Sequence, residues 1–227
     1  MRNLDAKSRQ VATHRSARLA AVATPIVIAG ASLALLFNPW WVFPAQQRAG
    51  VAALTGYSDA DVARITGSLI GDVTLGPPDF AVTDQGRPVL DDAERGHMRD
   101  VFGVLRAFDL IVALAALALV TLGIRCRGEG SWWRAVGRAA LAMAVVGTSV
   151  GILFAAFFDA AWLAFHEIFF PGGNYLFDSR SERLTQLFPT AFWMDAATTV
   201  FIVGVSMSLA VWTGARYIAS RIEGHPD

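Results

Sequence analysis

Four apolar stretches, at 19–37, 105–124, 139–165 and 191–218, are each long enough to cross the hydrocarbon core of a bilayer. No water reaches the backbone N–H and C=O groups there, so each stretch must close its hydrogen bonds internally, as a helix. The expected fold class is an all-α integral membrane protein with four transmembrane helices and an extracytoplasmic cap formed by two long loops. With 54% hydrophobic and 17% charged residues, the 227-residue chain is too apolar for an ordinary soluble domain. Its formal net charge of zero leaves no broad basic surface for a nucleic acid. The single cysteine, Cys126, excludes an internal disulfide framework and a cysteine-based metal cluster.

Charge sets the expected orientation. Arg2, Lys7, Arg9, Arg15 and Arg18 face one acid, Asp5, in 1–18, and Arg125, Arg127, Arg134 and Arg138 fill 125–138. The positive-inside rule puts both, with the tail 219–227, in the cytosol, and the segments 38–104 and 166–190 on the outer side of the membrane. The pairs Trp40-Trp41 and Trp132-Trp133 read as interfacial anchors. A cleaved signal peptide is the alternative for the first run, but the run is long and no small-x-small site follows it before Trp40.

The outer segment carries its own helix signals. Ser58 opens a helix whose stripe is Val62, Ile65, Leu69 and Ile70, and Gly76-Pro77-Pro78 ends it. Phe80 begins a short extended piece, and Gln85 to Pro88 make a turn. Asp91 and Glu94 form a capping box that opens one continuous helix running into the second span, to about Ile124. Within the spans lie Arg106 and Asp109, three residues apart and able to pair, and also Asp159 and Asp195. Asp159 lies two turns below His166 and is expected to face the bundle interior, with Arg106 or a hydroxyl as partner.

The loop at 165–193 is unlike a simple connector. It holds Phe169, Phe170, Tyr175, Phe177, Phe188, Phe192 and Trp193 around a Pro-Gly-Gly-Asn turn. His166 begins it, and His97 falls at the same expected depth, whereas His14 and His225 lie in the tails. Two imidazoles in one plane point to acid/base chemistry. Glu94, His97, His166 and Glu167 make zinc conceivable, but a third outer histidine is missing, so no metal is expected. Ser179 and Ser181 lack a nucleophile elbow. Gly71, Gly76 and Gly172-Gly173 form no phosphate loop, so no nucleotide or other cofactor is expected.

Glu94-x-x-His97-Met-x-Asp100-Val101, Phe165-His166-x-x-Phe169-Phe170 and Leu184-x-x-Leu187-Phe188-Pro189-x-x-Phe192-Trp193 together resemble the lipoprotein intramolecular transacylase family, over about residues 19 to 215. The chain departs from the family pattern at Tyr175, where the family loop has Trp, and at Asp178-Ser179 and Glu182, where it has Asp-Pro and a second Asp. The resemblance implies an acyltransferase acting on diacylglyceryl lipoproteins. An acyl chain moves from the sn-2 ester to the α-amine of the N-terminal cysteine and leaves a lyso-form product. Partners would be lipoproteins and membrane lipids, and the protein a monomer.

Ester to amide is downhill and needs no ATP, and orientation alone can contribute about 7 kcal/mol or more. A neutral imidazole matches an α-amine of pKa about 8. His166 is read as the base, oriented by Glu167 and the Gly172-Gly173-Asn174 turn. His97 is read as donor to the oxyanion and leaving oxygen, its tautomer held by Glu94 or Asp100, with Tyr175 and Trp193 beside the substrate. Reversed roles and an acyl-imidazole stay open at this point. Two other functions also stay open, a transferase or hydrolase for another membrane lipid and a non-catalytic four-helix partner or chaperone.

Overall fold

The computed structural model describes residues 2–224, with side chains from Arg15 onward. His225 and the side chain of His14 therefore lie outside the described residues. Nine helices are found among them: α1 (Arg2–Ala34), α2 (Pro39–Arg48), α3 (Val51–Thr55), α4 (Asp59–Thr74), α5 (Asp92–Cys126), α6 (Gly130–Ala156), α7 (Phe158–Phe169), α8 (Arg183–Leu187) and α9 (Thr190–Glu223). A hairpin, β1 (Thr83–Asp84) and β2 (Arg87–Pro88), precedes α5. Four helices are long and apolar enough to cross a membrane, in Arg15–Phe37, Asp92–Cys126, Gly130–Ala156 and Thr190–Glu223. The chain is a multi-pass membrane protein of all-α class.

The first turns of α5 carry Asp92, Glu94, Arg95, Arg99 and Asp100, a charge density that suits water or headgroups rather than hydrocarbon.

Two compact units are present. The first holds α1 up to Ser32, Phe108–Val150, and α9 from Val200. Small residues let its helices approach closely, as membrane helices require. A Cβ on Gly30 would lie 2.6 Å from both methyl carbons of Val112, and one on Gly137 would lie 3.3 Å from Ala215. Trp132 is buried with Ala20, Cys126 and Ala135, and Arg134 pairs with Glu223.

The second unit comprises Leu33–Ala107 and Gly151–Thr199. Its core joins Val62, Ile65 and Leu69 of α4 to Phe80, Leu90, Leu184 and Leu187, so the two long loops pack as one body. Ser58 caps α4 by accepting from the Asp61 amide. Buried Gln46 donates to Thr66 Oγ1 and to the Leu187 carbonyl, both at 2.9 Å, and ties α2, α4 and α8 together. The hairpin turn uses Gln85 (φ 48) and Gly86 (φ 77), the pair of positive φ values a two-residue turn of the twisted type demands.

Several expectations need correction. The basic loop expected at 125–138 is only three residues long, because α5 continues to Cys126 and α6 starts at Gly130. Arginine is a good helix former, and Gly128 supplies the break. Trp132 and Trp41 are buried, at 2% and 8% exposure, while Trp40 is 63% exposed. The third apolar run is not one helix. Phe157 leaves helical torsions (φ −131, ψ 45), so α7 restarts at Phe158. Asp159 then sits exposed in the first turn of α7, not inside the bundle. A carboxylate suits that position because the first amides of a helix are unbonded and carry its positive end. Asp195 pairs with Arg48 at 2.9 Å, and Arg106 donates to the Val73 carbonyl at 3.3 Å.

Candidate active site

The capping box at the start of α5 fixes His97. Asp91 Oδ1 accepts from the Glu94 amide and Glu94 Oε2 accepts from the Asp91 amide, each at 2.8 Å. The other carboxylate oxygen, Oε1, accepts from the Leu184 amide at 2.6 Å. Glu94 is 2% exposed, and it clamps the start of α8 to the start of α5. Its described hydrogen bonds go to backbone amides and none to His97, the partner that the sequence suggested. Burial raises its pKa above the ordinary carboxylate value, and the two amides act against that rise.

One turn on, His97 is buried beside His166 of α7. The ring centroids are 6.1 Å apart and the planes are within 22° of parallel. Phe170 closes one side, 4.8 Å from His97 and 5.6 Å from His166, and Phe177 stands 5.6 Å from His97. Burial is the main force pushing the His97 pKa below 6.5, with His166 adding to it, while Asn174 and Asp100 favour the charged ring. Its Nδ1 is buried without a hydrogen-bond partner among the described residues.

His166 has a defined tautomer. Its Nδ1 lies 2.8 Å from the carbonyl oxygen of Trp162, one turn earlier in α7. A carbonyl only accepts, so Nδ1 carries the proton and Nε2 of the neutral ring keeps its lone pair. Glu167, expected to orient this ring, is exposed instead. Helical geometry explains the difference, since a residue four positions back lies beneath the ring and an adjacent one points away.

The remaining expected site residues fall around this pair. Tyr175 stands 5.0 Å from the His166 ring. Trp193 contacts Trp162 at 4.9 Å, which in turn touches His166 at 4.5 Å. Asn174 donates to Asp100 Oδ2, linking the loop after α7 to α5. Sequence reasoning missed Trp162 and the Leu184 amide. The signal for Trp162 was its spacing of four before a helical histidine, whereas nothing in the sequence singles out one amide of α8.

A separation of 6.1 Å is too wide for the imidazoles to hydrogen-bond directly. It is about the width at which one carbonyl group can lie within roughly 3 Å of each ring. With one nitrogen accepting and the other ring able to donate, the arrangement suits proton transfer. Among the described residues, no three of His, Cys, Asp or Glu gather closely enough to hold a metal.

Comparison with known proteins now bears on this geometry. The sequence profile described as "Lipoprotein intramolecular transacylase Lit" matches residues 18–193. The fold is similar to a solved structure of the membrane-integral lipoprotein intramolecular transacylase Lit from Bacillus cereus. The TM-score is 0.81 at 15% identity, over 95% of this chain and 100% of that one. Two further structures of that protein, with one histidine replaced by arginine or by alanine, give TM-scores of 0.80 and 0.79 at 13% and 14% identity. They cover 99% and 98% of this chain and 99% and 100% of theirs. No curated protein sequence matches the chain.

Proposed function

Because the chain belongs to the lipoprotein intramolecular transacylase Lit family, we propose that it carries out intramolecular acyl transfer within bacterial lipoproteins, with His97 and His166 as its acid/base pair. The acyl group moves from the sn-2 ester of the diacylglyceryl moiety to the α-amine of the N-terminal cysteine. The observation that carries this reading is the buried, nearly parallel pair of imidazoles with His166 Nε2 left as an acceptor.

His166 Nε2 takes a proton as the amine nitrogen bonds to the ester carbonyl carbon. His97, in the tautomer with its unpartnered Nδ1 protonated, donates to the developing oxyanion. As the ester C–O bond breaks, the proton returns to the glyceryl oxygen, and the products are an amide and a free hydroxyl. The Trp162 carbonyl steadies the imidazolium formed on His166, as an acceptor held against Nδ1–H. The aromatic wall keeps bulk water, the competing nucleophile, from the ester. The basic segments 1–18 and 125–138 favour a cytosolic side for both termini, with the histidine pair opening to the outer leaflet, where the acyl chains and the cysteine of such a substrate lie.

The test is mass spectrometry of the N-terminal lipopeptide of a reporter lipoprotein incubated with purified protein. Wild type is expected to yield the lyso-form with an N-acylated cysteine, and His97→Gln and His166→Gln to slow conversion by about 100-fold or more while remaining folded. Near-full conversion by both variants would overturn the two-histidine mechanism, and no conversion by wild type would overturn the activity.

A further inference from the structure

We propose that the cavity beside the histidine pair binds the N-terminal residue of the substrate, Asp100 receiving its α-ammonium group and Arg99 the carbonyl oxygen of the same residue. This rests on the transacylase reading above. The cavity, of about 420 Å³, has a polar side formed by Arg99, Asp100 and Asn174 and an apolar side that includes Val104, Phe169 and Phe170. Neither histidine lines it, but two of its walls touch His97. Phe170 packs edge-on against His97 at 4.8 Å, and Asn174 bears on the same ring while donating to Asp100. A group held in the cavity therefore lies next to the pair.

The polar side is built to read two features at once. Asn174 holds Asp100 Oδ2 from a loop 74 residues away in sequence, which fixes the carboxylate and leaves Oδ1 without a hydrogen bond among the described residues. The Arg99 guanidinium likewise makes no hydrogen bond or ion pair among them. One carboxylate and one guanidinium on consecutive residues, both open to the cavity, match a ligand with a cation and a hydrogen-bond acceptor close together. An N-terminal residue has that pattern in its ammonium group and its own carbonyl. The apolar side accommodates the thioether and glyceryl carbons that follow from the cysteine side chain. Asp100 thereby selects a free N-terminus over a blocked one. The bound ammonium loses one proton to His166. Its nitrogen then bonds to the ester carbon, the C–O bond breaks, a second proton ends on the glyceryl oxygen, and one proton is released overall.

The experiment uses two unreactive diacylglyceryl lipopeptides with an ether in place of the sn-2 ester, one with a free α-amine and one N-acetylated. Each is titrated as an inhibitor of lyso-form production in phosphatidylcholine vesicles. Wild type should be inhibited at a concentration about 10-fold or more lower by the free amine, the value of one hydrogen bond between charged groups. That advantage should vanish above the amine pKa of about 8. Asp100→Asn should abolish it and raise KM more than it lowers kcat, and Asp100→Glu should restore part of it. An advantage that survives in Asp100→Asn, or that persists at high pH in wild type should the variant not fold, overturns the proposal. So does its loss when phosphatidylethanolamine replaces phosphatidylcholine, since the cavity would then hold a lipid headgroup. Wild type that converts no lipoprotein would instead refute the transacylase reading.

Discussion

Glu94→Gln is the substitution that most directly tests how the site is assembled. The wild-type carboxylate is 2% exposed and accepts one backbone amide on each oxygen, Leu184 at 2.6 Å and Asp91 at 2.8 Å. Glutamine keeps one acceptor and turns an NH2 group toward the other amide. Leaving a buried N–H unsatisfied costs about 1–3 kcal/mol, and changing the second bond from charged to neutral weakens it by about 1 kcal/mol. The sum is about 3 kcal/mol, or a fall of about 6–12 °C in Tm for a chain of this size. The loss should be local before it is global. Hydrogen exchange followed by mass spectrometry should show faster exchange of the Leu184 amide and of the loop carrying Phe177, and slower lyso-form production, because Phe177 packs on His97. If Leu184 kept its wild-type protection while the pH profile of the reaction shifted, Glu94 would be acting on the imidazole and the clamp would be wrong.

Two further outcomes are expected. The folded-state pKa of His97 lies below its reference of 6.5. The stability it contributes is therefore complete above pH 6.5 and is lost as pH falls through the lower folded value, so thermal unfolding between pH 7.5 and 5 should be flatter for His97→Gln than for wild type. Gly30→Ala should destabilise by about 1–3 kcal/mol, because its Cβ would meet two Val112 methyl carbons at 2.6 Å. Adding Val112→Ala should recover most of that loss in Tm measurements, and failure to do so would refute the close approach of these helices.

The spans and the long α5 were legible because their signals are local. An apolar run of sufficient length has one solution in lipid, and a capping box at Asp91 declares a helix start whatever lies around it. What was illegible depended on tertiary partners. Nothing within Pro39–Arg48 marks α2 apart from a proline at its first position, and its reason for being helical is the burial of Trp41, Val42 and Ala45 against Phe192 and Ala196, some 150 positions away. The break at Phe157 has no glycine or proline to announce it. Periodicity alone therefore joined two helices that the structure separates, and it carried Asp159 to the wrong environment.

The same division runs through the site. That His97 and His166 belong together followed from depth alone, since each falls near the same end of its span. Which atoms hold them did not follow. Sequence offered carboxylates as orienting groups, Glu94 or Asp100 for His97 and Glu167, with the Gly172-Gly173-Asn174 turn, for His166, because charge is what a sequence displays. The structure uses backbone instead, the Trp162 carbonyl for His166 and the Leu184 amide to occupy Glu94. A neutral carbonyl fixes a tautomer without fixing a proton on both nitrogens. An ion pair with His166 would instead have held that ring in its charged form.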